Sequence, residues 1–145
     1  MKNLLIIFSL ASLSFTNWET DFEKAKQLAK EKHELILLNF SGSDWCGPCI
    51  RMKKELFADR SFIAMADQEL VLVNADFPRN KKNQPGAELK KQNEQLADKY
   101  DPEGKFPFTL LLNADGKVLK TWDGLPAGDT ENFIRQIKDI CHANK

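Results

Sequence analysis

The chain lacks an excess of charge of either sign, because its 145 residues include 21 lysines and arginines and 21 aspartates and glutamates. A nucleic-acid-binding protein normally carries a basic surplus, so this balance argues against nucleic acid as a partner. Internal repeats and low-complexity tracts are also missing, which argues against a repeat architecture. The length and a hydrophobic fraction of 42% instead predict one globular domain with a core of its own.

A hydrophobic run long enough to cross a membrane is missing too. The apolar run at residues 4–13 is shorter than the roughly 20 residues that a span needs. It follows a short basic start, and the small residues Ser12 and Ser14 lie where a signal peptidase would cleave. We therefore predict a cleaved signal peptide at residues 1–16 and a mature domain at residues 17–145, exported to the periplasm or another extracytoplasmic compartment. An uncleaved anchor or a buried first strand is the alternative.

Cysteine is scarce, and two of the three cysteines, Cys46 and Cys49, form a Cys-x-x-Cys pair. The pair follows an apolar run at residues 35–40, which predicts a buried central strand, and precedes a helical pattern. A strand that delivers Cys-x-x-Cys to the start of a helix suits thiol–disulfide exchange. Because a helix N-terminus stabilises a thiolate, we expect a lowered pKa for Cys46, the predicted nucleophile. Cys49, one turn further in and less exposed, is the predicted resolving thiol.

An inert disulfide or half of a zinc site is the alternative interpretation of the cysteine pair. A zinc site needs four ligands, and the remaining candidates are Cys141, His33 and His142. Their positions show no ligand spacing, so we expect no metal at these residues. Cys141 lies on the apolar stripe of the last predicted helix, where it is expected to be a small buried hydrophobe. Thiol–disulfide exchange requires no organic cofactor either.

Helical and strand patterns alternate along the rest of the chain, which predicts an α/β fold with a central mixed sheet flanked by helices. The Asp-Gly pair at residues 115–116 indicates a hairpin and therefore an antiparallel edge. The polar segment 78–92 is predicted to be a surface loop that leads into a helix; its lysines are either a docking patch or solvated. The predicted helices are residues 17–32, 50–57, 61–66 and 88–99, followed by one last helix. Thr20 or Asp21 is expected to cap the first helix, Ser61 the third, and Asp129 or Thr130 the last. The predicted strands are 35–40, 70–75, 108–112 and 117–122.

The motif at residues 45–49, Trp-Cys-Gly-Pro-Cys, resembles the thioredoxin active-site motif residue for residue. Gly47 and Pro48 between the cysteines are similar to those of reducing thioredoxins, and Pro48 also suits the first turn of a helix. The chain is thus identified as a member of the thioredoxin-like family, which implies the thioredoxin-like fold. The leader and the loop 41–44 resemble the exported disulfide reductases of bacteria.

A second segment, residues 105–111, is similar to the stretch that carries the family's cis-proline. The resemblance implies that Pro107 is this proline and that the Phe106 backbone pairs with an extended substrate segment. It also implies that Trp45 shields the active-site surface and contacts partners, and that Gly124 leaves room for a substrate backbone. Local sequence alone leaves ordinary alternatives open, namely a trans proline, a packing tryptophan and a turn glycine.

The chain departs from the thioredoxin pattern at one buried charged pair. Asn39 aligns with the buried aspartate of thioredoxin, and Leu72 aligns with its partner lysine. An amide cannot accept a proton at neutral pH, so Asn39 cannot assist the resolving cysteine as a carboxylate would. Asp44 or a water molecule is the expected substitute, or resolution is slower.

Together, the residues and the resemblance predict an exported thiol–disulfide oxidoreductase that reduces protein disulfides. Its expected partners are protein disulfide substrates and a membrane electron donor, and nothing in the chain demands more than a monomer. A disulfide oxidase or isomerase is the first alternative. A thiol-bearing chaperone or metallochaperone that binds clients without catalysis is the second.

Overall fold

The computed structural model describes residues 17–144, so the predicted signal peptide at residues 1–16 lies outside it. Five strands form one sheet in the order β1-β3-β2-β4-β5. The strands are β1 (Trp18–Glu19), β2 (Leu35–Ser41), β3 (Leu70–Asp76), β4 (Phe108–Leu112) and β5 (Val118–Asp123). The helices are α1 (Phe22–Lys32), α2 (Gly47–Met52), α3 (Arg60–Glu69), α4 (Ala87–Tyr100) and α5 (Thr130–Ala143), with a π-helical turn at Lys53–Phe57 and a 3₁₀ turn at Lys81–Asn83.

The central strand β2 is buried along its whole length, as its apolar run predicts. It pairs in parallel with β3 and antiparallel with β4, and β5 continues the antiparallel part. The mixed sheet flanked by helices is therefore confirmed. Because Phe40 lies opposite both Ala75 and Phe108, the ends of β2 and β3 and the start of β4 meet at one edge of the sheet. We call it the cysteine edge, since the loop that leads to Cys46 leaves from there.

Alternating side chains of the sheet fill two separate cores, as a period of two requires. Leu37 and Leu72 face the core that also holds Met52 of α2 and residues of α3 and α5. Ile36 and Leu38 face the opposite core, which is closed by α1 and α4. The first core lies beneath the helix that carries the cysteines, so polar residues on that face of the sheet lie under the active-site helix.

The prediction of a helix over residues 17–32 is wrong at its start. Asp21 caps the helix, because its carboxylate accepts the backbone N–H of Lys24 at 3.0 Å, and the helix begins at Phe22. Before this cap the chain is extended, and Trp18 pairs in parallel with Leu72 as a short edge strand. A two-residue strand is too short to show an alternating pattern.

The prediction that Ser61 caps a helix ending at residue 66 is wrong as well. The Asp59 carboxylate accepts the N–H groups of Ser61 and Phe62, and the helix extends to Glu69. The other helices and the hairpin agree with the sequence to within a few residues. Asp129 caps the last helix through the N–H of Asn132. Within residues 17–144, no helix has both the length and the apolar character that a membrane crossing requires.

Candidate active site

The two cysteines lie at the start of α2, immediately after the loop that leaves β2. Cys46 caps the helix, and its backbone N–H donates to the Gly42 carbonyl at 2.9 Å. The Cys49 N–H donates to the Sγ of Cys46 at 3.2 Å, and Pro48 lies in the first turn as expected. Cys46 and Cys49 form a disulfide. A backbone donor aimed at the sulfur stabilises negative charge there once the disulfide is opened.

The expectation that Cys49 is less exposed than Cys46 is wrong for this oxidised form. Cys46 is 4% exposed and Cys49 is 5% exposed. Because the disulfide bonds the two sulfur atoms to each other, the same neighbouring groups cover both. Any difference in access must therefore arise from the position of an incoming substrate, or from opening of the disulfide.

Pro107 lies at the cysteine edge, one residue before β4, and the Phe106–Pro107 peptide bond is cis. The Pro107 carbonyl accepts the backbone N–H of Gly124 at 2.9 Å. Gly124 has a φ of +78°, which favours glycine, and no atom beyond its two chain neighbours lies within 4 Å of the place where its Cβ would be. The space beside Gly124 is therefore open, as a substrate backbone would require.

An aromatic cluster of Trp45, Phe77 and Phe106 forms one side of the site. Trp45 contacts Phe106 edge-on at a centroid distance of 5.3 Å, and Phe106 contacts Phe77 at 5.5 Å. The Trp45 Nε1–H donates to the Phe77 carbonyl at 2.7 Å. The Arg79 guanidinium lies 3.9 Å from the centre of the Trp45 ring, a cation–π contact. The sequence analysis did not identify Phe77 and Arg79. Both follow β3 closely, and residues in that position are expected to lie at the cysteine edge, because β2 and β3 end there together.

Gly42 leaves no room for a side chain next to Trp45. A Cβ at this position would lie 2.3 Å from one indole atom of Trp45 and 2.6 Å from two others. Real Cβ atoms do not approach that closely, so the indole can occupy its place only because residue 42 has no side chain. Gly42 therefore determines where Trp45 lies.

A polar network lies on the α2 side of the sheet, and its members around Asn39 are uncharged. The Asn39 side chain, 5% exposed, accepts the Thr109 hydroxyl at 3.0 Å and donates to the Asn74 Oδ1 at 3.1 Å. Leu72, the position that aligns with the thioredoxin lysine, lies opposite Leu37, and Asn74 lies opposite Asn39. The side chain that Asn39 contacts on β3 is therefore another amide.

The network continues from Asn74 to the loop before the cysteines. The Ser41 hydroxyl lies 3.1 Å from both the Asn74 Oδ1 and the Asp76 Oδ1. The Asp76 carboxylate also accepts the backbone N–H of Ser43 at 2.9 Å and its hydroxyl at 2.5 Å. Asp76 thus fixes the loop to the end of β3.

Asp44, the expected substitute proton acceptor, is hydrogen-bonded to the segment after β3. Its carboxylate accepts the backbone N–H groups of Arg79 and Asn80 at 2.8 and 2.9 Å and the side-chain amide of Asn83 at 2.9 Å. These hydrogen bonds, that from Arg79 first, lower the pKa of Asp44. A carboxylate with a lowered pKa is a weaker base, and this one fixes the segment after β3 instead.

The segment that precedes Phe106 is fixed by Asp101, another residue that sequence reasoning missed. Asp101 is 3% exposed, and its Oδ1 accepts the Lys105 N–H at 3.0 Å. Burial raises the pKa of Asp101, with the Lys105 N–H acting in the opposite direction. The Lys105 ammonium contacts Asp123 and Glu103 at 3.0 and 3.2 Å, and hydrogen bonds to these two carboxylates raise its pKa.

The side chains considered as metal ligands besides the Cys46–Cys49 pair are Cys141, His33 and His142. Cys141 is 2% exposed within the core beneath the active-site helix, as its apolar stripe predicts, and His33 and His142 are exposed at helix ends. Among residues 17–144, no three His, Cys, Asp or Glu side chains are grouped so that they could hold a metal ion.

The comparisons with known proteins agree with the fold and the motif. A thioredoxin-like domain family matches residues 22–140. The disulfide bond reductase DsbH of Chlamydia pneumoniae is 34% identical over 121 residues, which are 83% of this chain and 70% of that protein. The thioredoxin-related protein DsbJ of the same organism is 34% identical over 128 residues, which are 82% of this chain and 36% of DsbJ.

A solved structure described as DsbH oxidoreductase superimposes on 98% of this chain and 95% of its own, with a TM-score of 0.79 and 27% identity. The family match at residues 22–140 covers the cysteine pair and the cis-proline. The chain therefore belongs to the thioredoxin-like family of bacterial disulfide oxidoreductases.

Proposed function

We propose that this protein reduces protein disulfides through the Cys46–Cys49 dithiol. The observation that carries the proposal is the Cys49 N–H aimed at the Cys46 sulfur, in a pair that closes into a disulfide. The same two residues can thus exist as a dithiol whose thiolate is stabilised and as a closed disulfide, the two states that exchange requires. The similarity to a protein named disulfide bond reductase supports the direction of electron flow.

In the proposed reaction, the Cys46 thiolate attacks one sulfur of a substrate disulfide. A bond forms between Cys46 and that sulfur, and the other substrate sulfur leaves as a thiolate that takes up a proton. The Cys49 thiolate then attacks Cys46, closes the intramolecular disulfide and releases the second substrate thiol. The substrate gains two electrons and the protein loses two, so a separate donor must reduce the protein again.

The surroundings of the cysteines support the proposed substrate-binding roles. Phe106 and Pro107 lie at the cysteine edge, and Gly124 beside them leaves open space. An extended substrate segment can pair with the backbone there while its disulfide faces Cys46. Trp45 provides an apolar wall next to the nucleophile, where it excludes water from the mixed disulfide.

The equilibrium redox potential of the Cys46–Cys49 pair tests the direction of the reaction. We expect a value near −270 mV, about that of thioredoxin, in titrations with dithiothreitol. A value near about −120 mV would identify a strong oxidant instead. An intermediate value together with scrambled-ribonuclease refolding activity would identify an isomerase.

Cysteine variants test the mixed-disulfide mechanism. With insulin as the substrate, Cys49→Ala should accumulate a covalent complex through Cys46 that mass spectrometry detects, and Cys46→Ser should lose all turnover. Cys141→Ala is the matched control, because it removes a buried thiol outside the site and should retain turnover. Persistence of client affinity in Cys46→Ser without any covalent complex in Cys49→Ala would favour a noncovalent chaperone.

We also propose export, on the basis of residues 1–16, and re-reduction by a membrane protein that passes electrons outward. Intact-mass analysis of the protein recovered from a bacterial periplasmic fraction tests the first point. A mature chain that begins near residue 17 is the expected result. Retention of the full-length chain in the cytoplasm would contradict export, and the source of electrons would then have to be cytoplasmic.

A further inference from the structure

The segment after β3, residues 77–83, carries positive charge next to the cysteines, and we call it the cationic segment. Two sets of contacts fix it to the active-site loop. The Phe77 carbonyl accepts the Trp45 indole N–H, and the Asp44 carboxylate accepts the N–H groups of Arg79 and Asn80. In addition, the Phe77 N–H donates to the carbonyl of Ser41, the last residue of β2, at 2.8 Å. The cationic segment therefore has a defined position relative to Cys46.

Arg79 presents an unused set of donors at this position. Its guanidinium lies over the Trp45 ring, and its residue is exposed. Within residues 17–144 no carboxylate lies within ion-pair distance of it. A guanidinium that stacks through its flat face keeps its N–H groups available to the two oxygens of a carboxylate.

Lys81 and Lys82 extend the same charge along the surface. Both are exposed, and neither forms an ion pair within the part of the chain that the structure describes. Because the chain as a whole has equal numbers of acidic and basic residues, this segment is a local surplus of positive charge rather than a sample of a basic surface. Such a surplus attracts acidic partners and steers their approach.

We propose that the cationic segment recognises acidic residues that flank the disulfide of a client polypeptide, with Arg79 as the specificity-determining residue. The proposal rests on the proposed reductase function. Arg79 contacts the residue that directly precedes Cys46, and an extended chain advances about 3.3 Å per residue. The carboxylate it binds should therefore lie within a few residues of the attacked cysteine.

The test uses three synthetic peptides, each a disulfide-linked homodimer of one sequence with Glu, Gln or Lys beside its cysteine. The reduced protein is mixed with excess peptide, and its oxidation is followed by acid quenching, alkylation and mass spectrometry. We expect the second-order rate constant to be about two- to fivefold higher for the Glu peptide than for the Gln peptide, the range of one exposed ion pair. The Lys peptide should be slowest. The preference should disappear at about 1 M salt.

Variants assign the preference to its residue. In Arg79→Gln the Glu-to-Gln rate ratio should fall to about one, and in Arg79→Glu the order of the Glu and Lys peptides should reverse. Lys138→Gln, which removes an exposed cation from α5, is the matched control and should retain the ratio. Replacement of both Lys81 and Lys82 by Gln should weaken the salt dependence.

Equal rates for the three peptides in the wild type, or an unchanged ratio in Arg79→Gln, would overturn this inference and leave the reductase function intact. Failure of every peptide to oxidise the Cys46–Cys49 pair would instead refute the proposed function itself. Because the comparison is a ratio within each variant, a general loss of activity on substitution does not obscure it.

Discussion

Gly42→Ala tests whether the position of the Trp45 indole depends on the missing side chain at residue 42. The new Cβ would lie 2.3 Å from the ring, so the indole must move by about 1 Å to reach an ordinary contact distance. That movement weakens the hydrogen bond to Phe77, the ring contact with Phe106 and the cation–π contact with Arg79. Each of these contributes about 0.5–1.5 kcal/mol.

The backbone itself tolerates alanine, because Gly42 is not among the residues with positive φ. Alanine has a smaller conformational entropy than glycine in the unfolded state, and this difference should offset about 0.4–1 kcal/mol of the loss. We therefore expect a net decrease of about 2 kcal/mol in the free energy of unfolding, measured by urea denaturation, and a fall in Tm of about 4–8 °C. In a Trp45→Ala background the same substitution should be neutral or slightly stabilising. An equal cost in both backgrounds would refute the reasoning, since no coupling to the indole would remain.

Three further substitutions test other contacts. Tyr100→Phe removes the buried hydroxyl that donates to the Gly116 carbonyl at 2.8 Å and should lower the free energy of urea unfolding by about 1 kcal/mol; no change would show that water replaces the hydroxyl. Because burial raises the pKa of Asp101 above 3.8, its contribution to stability is present below that pH and is lost as pH rises through the folded pKa. Asp101→Asn should therefore reduce the decline in the free energy of unfolding above pH 4. An unchanged dependence of this free energy on pH would count against a role for Asp101. Asn39→Asp places an acceptor opposite the Asn74 Oδ1 and should lower the free energy of unfolding by about 1–3 kcal/mol at pH 7. The decrease should be smaller at pH 4, where the carboxyl regains a proton. Equal decreases at both pH values would contradict this reasoning.

The central strand, the hairpin and the redox pair could be predicted because each leaves a local signal. The run at residues 35–40 is apolar without interruption, Asp115 and Gly116 form a turn dipeptide, and two cysteines precede a helix. The strand at Trp18 could not be predicted in this way. Its pairing with Leu72 depends on a residue more than fifty positions away, and two residues carry no period.

The aromatic and polar surroundings of the cysteines were harder to predict for the same reason. Arg79 and Asp44 are ordinary charged loop residues in the sequence, and only the parallel pairing of β2 with β3 brings them together. Asn39 was identified as a departure from the thioredoxin pattern, but its contact with Asn74 was not predicted. The register that assigns Asn74 is set by the whole length of both strands, which no single position reveals.

The amide and hydroxyl groups beneath the active-site helix have a consequence for proton counting. Asn39, Asn74 and Thr109 carry the same charge at every pH at which a protein is normally folded. Reduction of the disulfide takes up protons at the two sulfurs, and these three residues contribute none. For a couple of two electrons and two protons, the potential should then change by about 59 mV per pH unit until the first thiol ionises. The first bend in that line should report the ionisation of a cysteine, because Asn39, Asn74 and Thr109 do not titrate there.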